Sequence, residues 1–189
     1  MRLFFCYVKI TYAKKLGENY YTFEEKQKIM SWFREFFKLV GMLFHRIKTD
    51  GYLDPITMKH FPFERYEFMM WCDNLISRSK EFLMTKDEEQ HEKSHLWQAI
   101  TNYDWWYQYY WHYYWEWTKV FFKSRFSLNA AYACNPFEVE AKGNESMEVL
   151  NIGTGTWKKY RIKNPRSTYK RNRKHWKQYC QQIAKEVNG

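Results

Sequence analysis

The chain has 189 residues and a formal net charge of +10, enough length for one domain with a real core, since a fold of this size buries roughly 70% of its unfolded surface. Aromatic residues make up 22% of it (10 Trp, 16 Tyr, 15 Phe), a profile that suits interfaces as much as a closed core. The four cysteines, Cys6, Cys72, Cys134 and Cys180, have no paired spacing, which excludes a disulfide framework or a cysteine zinc ribbon, and no apolar run approaches the ~18 residues of a membrane-spanning helix.

The expected class is mainly α: about three long aromatic-rich helices, a short β-hairpin-like segment and a basic C-terminal helix. The expected divisions are an N-terminal extension (1–21), a helical aromatic-rich body (22–135), a turn and short-strand segment (136–163) and a basic C-terminal helix (164–189). The N-terminus carries Arg2, Lys9, Lys14 and Lys15 before its first acid, Glu18. That is the charge of an organellar presequence without its serines and arginines.

Thr22-Phe23-Glu24-Glu25 has capping-box spacing and opens the first helix. Its apolar stripe runs through Ile29, Phe33, Phe36, Phe37, Val40, Leu43, Phe44 and Ile47 until Asp50-Gly51 stops it. Between Pro62 and Pro136 there is neither glycine nor proline, which predicts long helices. Pro62 opens the second, with Phe68, Cys72, Leu75, Ile76, Phe82 and Leu83 on its buried face. Thr85-Lys86-Asp87-Glu88 is a second capping box, from which a third helix runs to about Arg125. Around Gly153-Thr154-Gly155 the spacing predicts two short strands and a turn. Asn164-Pro165 leads into a final helix with Trp176, Tyr179, Cys180, Ile183 and Val187 on one face.

His91-Glu92-Lys93-Ser94-His95 matches H-E-x-x-H, the spacing that sets two imidazoles one helical turn apart with a carboxylate between them. With Glu116 downstream, it resembles the zincin metallopeptidases whose third ligand is a later Glu. That resemblance implies His91 and His95 as metal ligands and Glu92 as general base. It covers five residues and one loosely spaced carboxylate. Lys93 lies inside the motif, and Gln98 and Thr101 stand where the metzincin continuation needs Gly and His. Read from the residues alone, KDEEQHEKSH is a charged, solvated first turn, with acids at the positive end of the helix dipole. On that basis no catalytic residue, metal or cofactor is expected.

From Tyr103 to Trp117 the rings Trp105, Trp106, Tyr109, Tyr110, Trp111, Tyr113, Tyr114, Trp115 and Trp117 point all round one helix axis. They are expected to pack on partner subunits or at headgroup depth. The net charge is confined to the C-terminus: residues 157–189 hold eleven Lys and Arg against one acid, Glu186. The expected contacts with lipid headgroups, RNA or an acidic partner are Lys158, Lys159, Arg161, Lys163, Arg166, Lys170, Arg171, Arg173, Lys174 and Lys177.

In composition the chain resembles lineage-specific subunits of protist mitochondrial complexes. The expected function is therefore a non-catalytic accessory subunit of a mitochondrial membrane assembly, in the respiratory chain or ATP synthase. Its partners would be other subunits and anionic lipid. The alternative is a mitoribosomal protein with its tail in rRNA, and the remote alternative an HExxH zinc metallopeptidase.

Overall fold

The computed structural model describes residues 23–61, 68–78, 84–147, 150 and 152–188, most of them helical. The chain divides into two units, Met1–Phe37 and Lys38–Gly189. The boundary falls inside the first helix, α1 (Phe23–Met42). In the first unit, rings four residues apart stack along α1: Trp32 on Phe36 with centroids 5.3 Å apart, and Phe33 on Phe37 at 6.4 Å. The expected cap at Thr22 lies outside the described residues.

In the second unit α1 ends at Met42, well before the expected stop at Asp50-Gly51. The next three amides bond three residues back, Leu43 to Val40, Phe44 to Gly41 and His45 to Met42. The following segment then pairs with another part of the chain. Arg46 bridges Trp105, the Ile47 amide donates to Asp104 O, and those of Trp106 and Tyr107 donate to His45 O and Leu43 O. These bonds also break the expected third helix into α2 (Lys86–Asn102) and α3 (Trp106–Lys123). Gln108 Oε1 accepts the amides of Asp104 and Trp105 at 3.2 Å each, so a side chain satisfies donors at the head of α3.

The second helix expected from Pro62 is not what forms. Where described, that stretch is the hairpin β2 (Phe68–Trp71) and β3 (Asn74–Ser77), with β1 (Asp54–Thr57) parallel to β3 in the order β1-β3-β2. Phe68, Cys72, Leu75 and Ile76 fit a helical period, but short apolar runs fit either element, and Asp73-Asn74 is a turn signal. Cys72 takes φ +58°, the positive value a two-residue hairpin loop demands. The strain is held by its buried side chain and by its amide donating to the Tyr110 hydroxyl at 3.0 Å. Pro62, Phe82 and Leu83 lie outside the described residues.

Segment 136–163 also differs from expectation. After α4 (Leu128–Ala133) comes α5 (Pro136–Asn144), a helix buried nearly all round. Asn135 caps it, accepting the Phe137 amide, and Pro136 sits at its first position. Its Gly143 is required by packing: a Cβ there would lie 2.8 Å from the Ala184 Cβ and 2.9 Å from the Cys180 carbonyl oxygen. Gly155 does make a turn, at φ +67°, but a 3-10 helix (Thr156–Tyr160) follows it and no strand. The basic segment forms α6 (Pro165–Asn172), a 3-10 turn (Arg173–His175) and α7 (Trp176–Asn188).

Two apolar clusters hold the second unit. Leu96, Ala99, Trp106, Tyr109, Phe137 and Trp157 form one, with Phe137 stacked on Trp157 at 4.6 Å. Fully burying a ring such as Phe137 stabilises by up to about 3 kcal/mol. Val139, Tyr160, Cys180 and Ala184 form the other, flanked by Trp176, Tyr179, Ile183 and Val187 as the sequence predicts. Cys72, Cys134 and Cys180 are free and buried, and burial pushes the thiols of Cys134 and Cys180 up to about 12. Among the described residues no helix is long and apolar enough to cross a membrane.

Candidate metal centre

The capping box at Thr85 is formed in full: Thr85 accepts the Glu88 amide, and Glu88 accepts the Thr85 amide at 2.9 Å. Lys86 through Glu89 are exposed, as a solvated first turn requires. One turn later the expectation of solvation fails. His95 is 6% exposed, and His91 and Glu92 are mostly covered by β2, α3 and α5. The charge run marks only the outer face of α2. Its inner face carries the motif.

His91 Nε2 and His95 Nε2 stand 3.2 Å apart. The Glu138 carboxylate, on the first turn of α5, faces both: Oε2 lies 3.4 Å from His91 Nε2 and Oε1 lies 3.4 Å from His95 Nε2. Two donors each about 2.0–2.1 Å from a tetrahedral zinc are themselves about 3.3–3.4 Å apart. The imidazole pair is close to one edge of a zinc tetrahedron, and the carboxylate completes a group in which one ligand atom from each residue lies within 4.8 Å of the others. His91, His95 and Glu138 are also the one such group of ligand atoms among the described residues.

Hydrogen bonds fix which nitrogen faces the centre. Gln98 Nε2 donates to Phe137 O at 2.9 Å and to Glu140 at 2.8 Å, which turns its amide oxygen toward His95. That oxygen can only accept, so His95 Nδ1, at 2.9 Å, carries the hydrogen. That leaves Nε2 as the His95 ring nitrogen facing His91 and Glu138. The Tyr109 hydroxyl lies 3.3 Å from the same Nδ1. His91 Nδ1 is 3.0 Å from Glu145, near enough for an ion pair though off the line of a hydrogen bond. Tyr113 donates to Glu138 Oε1 at 2.5 Å. Such partners outside the ligand set orient ligands and tune their basicity.

The ionisation states follow. Burial opposes charge on Glu138, but the two imidazoles outweigh it and hold its carboxyl well below the usual range. Burial also opposes charge on His91, and Glu138 and Glu145 overcome it, raising the imidazole to about 10. A bound cation would take the place of that proton. Glu145 is held low by His91 and Lys142 against its burial. Glu92 goes the other way: burial raises its pKa, only partly offset by the imidazoles. Its Oε2 accepts the Met70 amide of β2 at 3.2 Å.

Glu116, the carboxylate the resemblance would use, is elsewhere. It sits two turns beyond Tyr109 on α3, about 10 Å along the axis. There it binds Arg161 at 2.6 Å and Lys119. Glu138 escaped sequence reasoning because its distance from the motif is set by the packing of α5 on α2. The available signal was Asn135-Pro136-Phe137-Glu138, a helix start with an acid in its first turn.

The other expected site residues scatter. Trp106 and Tyr109 are buried, and Trp105, Tyr110, Tyr113 and Trp117 are partly covered. Trp111, Tyr114 and Trp115 are exposed. Lys158, Lys159, Lys163, Arg166, Lys170, Arg171, Arg173 and Lys174 are exposed. Arg161 and Lys177 are engaged internally, Lys177 with Asp87 at 2.5 Å and Glu145 at 3.5 Å. The chain matches no protein-family model, no curated protein and no solved structure.

Proposed function

We propose that the protein is a zinc-dependent hydrolase of the peptidase type, with His91, His95 and Glu138 as metal ligands and Glu92 as general base. The observation that carries this is the cluster of two imidazole nitrogens 3.2 Å apart, each 3.4 Å from its own oxygen of Glu138, buried beside a carboxylate of raised pKa. When bound, zinc would polarise a carbonyl and bring the pKa of a water down to about 7. The fit is in the donor set: two imidazoles with an orienting neighbour each, one carboxylate, and cavities that open onto them. Glu92, with a pKa moved toward neutrality, takes the proton from the attacking water and returns it to the leaving amine. The Met70 amide holds Glu92 in place for both transfers.

This departs from the expectation of a non-catalytic accessory subunit, which rests on composition. One observation still favours a docking role alongside catalysis. The exposed Trp115 shares a surface cleft with Lys119, Lys158 and Arg161, which outnumber its two acids, Asp104 and Glu116, a balance compatible with an anionic membrane surface. Such docking would place the chain on a mitochondrial membrane assembly.

The test is zinc content and peptide hydrolysis together. The chain purified without added metal is expected to hold about one zinc, and Glu92→Gln to keep the metal while losing hydrolysis by 10²-fold or more. Zinc well below one per chain, or a Glu92→Gln variant as active as the parent, sinks the proposal.

A further inference from the structure

The centre lies at the seam of two cavities with different chemistry. Both are lined by His91, Glu92 and Glu138. One, of about 430 Å³, continues past Glu88, Lys142 and Glu145. The other, of about 320 Å³, also takes in His95 and is walled by Met70, Trp71, Tyr110, Tyr113, Tyr114 and Trp117. Its volume falls at the small end of the range for ligand sites.

The polar atoms of this aromatic wall are largely committed. The Tyr110 hydroxyl accepts the Cys72 amide at 3.0 Å, the Tyr113 hydroxyl donates to Glu138 at 2.5 Å, and Trp71 Nε1 donates to Leu39 O at 2.9 Å. Ring carbon is what they leave for an occupant. The only ionisable charges in the lining belong to the centre itself, His91, Glu92, His95 and Glu138. A charged side chain entering here would leave water to meet only groups already engaged with one another at the centre, and a small one would leave the rings uncovered.

We infer that this cavity is a side-chain subsite selecting peptides with a neutral, bulky apolar residue, an aromatic ring above all, beside the bond that is cut. The subsite rests on the hydrolase reading above and adds its substrate class. With the scissile carbonyl at the His91, His95 and Glu138 cluster, one flanking side chain enters the aromatic cavity. The other faces Glu88, Lys142 and Glu145.

The experiment uses the zinc-loaded full chain and peptides identical except at one position, occupied by Phe, Trp, Leu, Gly, Lys or Glu. Cleavage sites and kcat/KM are read by mass spectrometry. Apolar pockets discriminate by about 10- to 200-fold per methylene, so Phe and Trp are expected about 10²-fold or more above Gly, Lys and Glu, always on the same side of the cut. Tyr114, half exposed on the rim, gives a second arm. Tyr114→Lys should lower the Phe peptide and raise the Glu peptide, moving their ratio by about tenfold or more. A third arm reads binding alone: zinc-loaded Glu92→Gln should bind the Phe peptide at least about tenfold more tightly than the Lys peptide by calorimetry. Hydrolysis at rates within about threefold for all six peptides, or a ranking untouched by Tyr114→Lys, overturns the subsite and leaves the hydrolase standing. Absence of both zinc and hydrolysis overturns both.

Discussion

The side-chain oxygen of Gln98 stands 2.9 Å from Nδ1 of His95, and the amide nitrogen of the same residue ties α2 to Phe137 O and Glu140 on α5. One side chain thus sets the tautomer of a ligand and the seating of the helix that carries Glu138. Gln98→Leu is expected to lower zinc affinity by about 10- to 100-fold, measured against a chromophoric chelator. It should also cost about 1–3 kcal/mol of stability, because buried acceptors on α5 lose their donor. Gln98→Glu keeps the acceptor for His95 and should hold the tautomer, but it adds a charge beside Glu140.

Two carboxylates compete for the place of third ligand, and they separate cleanly. Glu138→Gln should reduce zinc well below one per chain after dialysis, whereas Glu116→Gln should leave the stoichiometry unchanged. Elemental analysis of the two proteins decides it. The reverse outcome would restore the carboxylate the sequence spacing offered.

Glu116 governs acid stability instead. Burial opposes its ionisation, but Arg161 and Lys119 hold its pKa below the ordinary value. A carboxylate depressed in the folded state contributes stability that is fully present above its unfolded pKa, near 4.5. That stability is lost as pH falls through the lower folded value. Arg161 and Lys119 are partly solvated, so Glu116→Gln should cost only about 1–2 kcal/mol at pH 7. The difference from the parent should fade at pH 3. Urea unfolding at the two pH values tests this, and an equal deficit at both would contradict it.

Gly143 is where α5 meets α7 with no space for a methyl group. Gly143→Ala should destabilise by about 1–3 kcal/mol through overpacking against the Cys180 carbonyl and the Ala184 methyl. Combining it with Ala184→Gly removes one of the two clashes and should recover part of the loss in a thermal melt. No recovery would mean that the carbonyl contact carries the whole effect.

The helical class was legible because caps and periods are local: Thr85 with Glu88, Asn164-Pro165, and the apolar face of α7. The hairpin at 68–77 was not, because four-residue apolar strands carry no period of their own and Cys72 is an unusual residue for a positive φ. The break between α2 and α3 lacks glycine or proline and is made by hydrogen bonds to residues 43–47, which no local window contains. The same division runs through the site. His91, Glu92 and His95 could be read from five letters. Whether they face water or each other depends on α5, and the charged outer face of α2 argued for water. Glu138 is joined to them by tertiary packing alone.

That joining has a consequence for how the protein is made. His91 and His95 leave the ribosome well before Glu138, with α3 and α4 in between, and two imidazoles on a nascent helix are an incomplete cage for zinc. On the zinc reading, the ion would meet its third ligand only when α5 is seated between α2 and α7. Metal capture would then be a late event that reports completed assembly of the second unit, with its binding free energy going to the finished fold rather than to an intermediate. On the same reading, chain made without zinc should be digested by protease more readily than chain loaded with it.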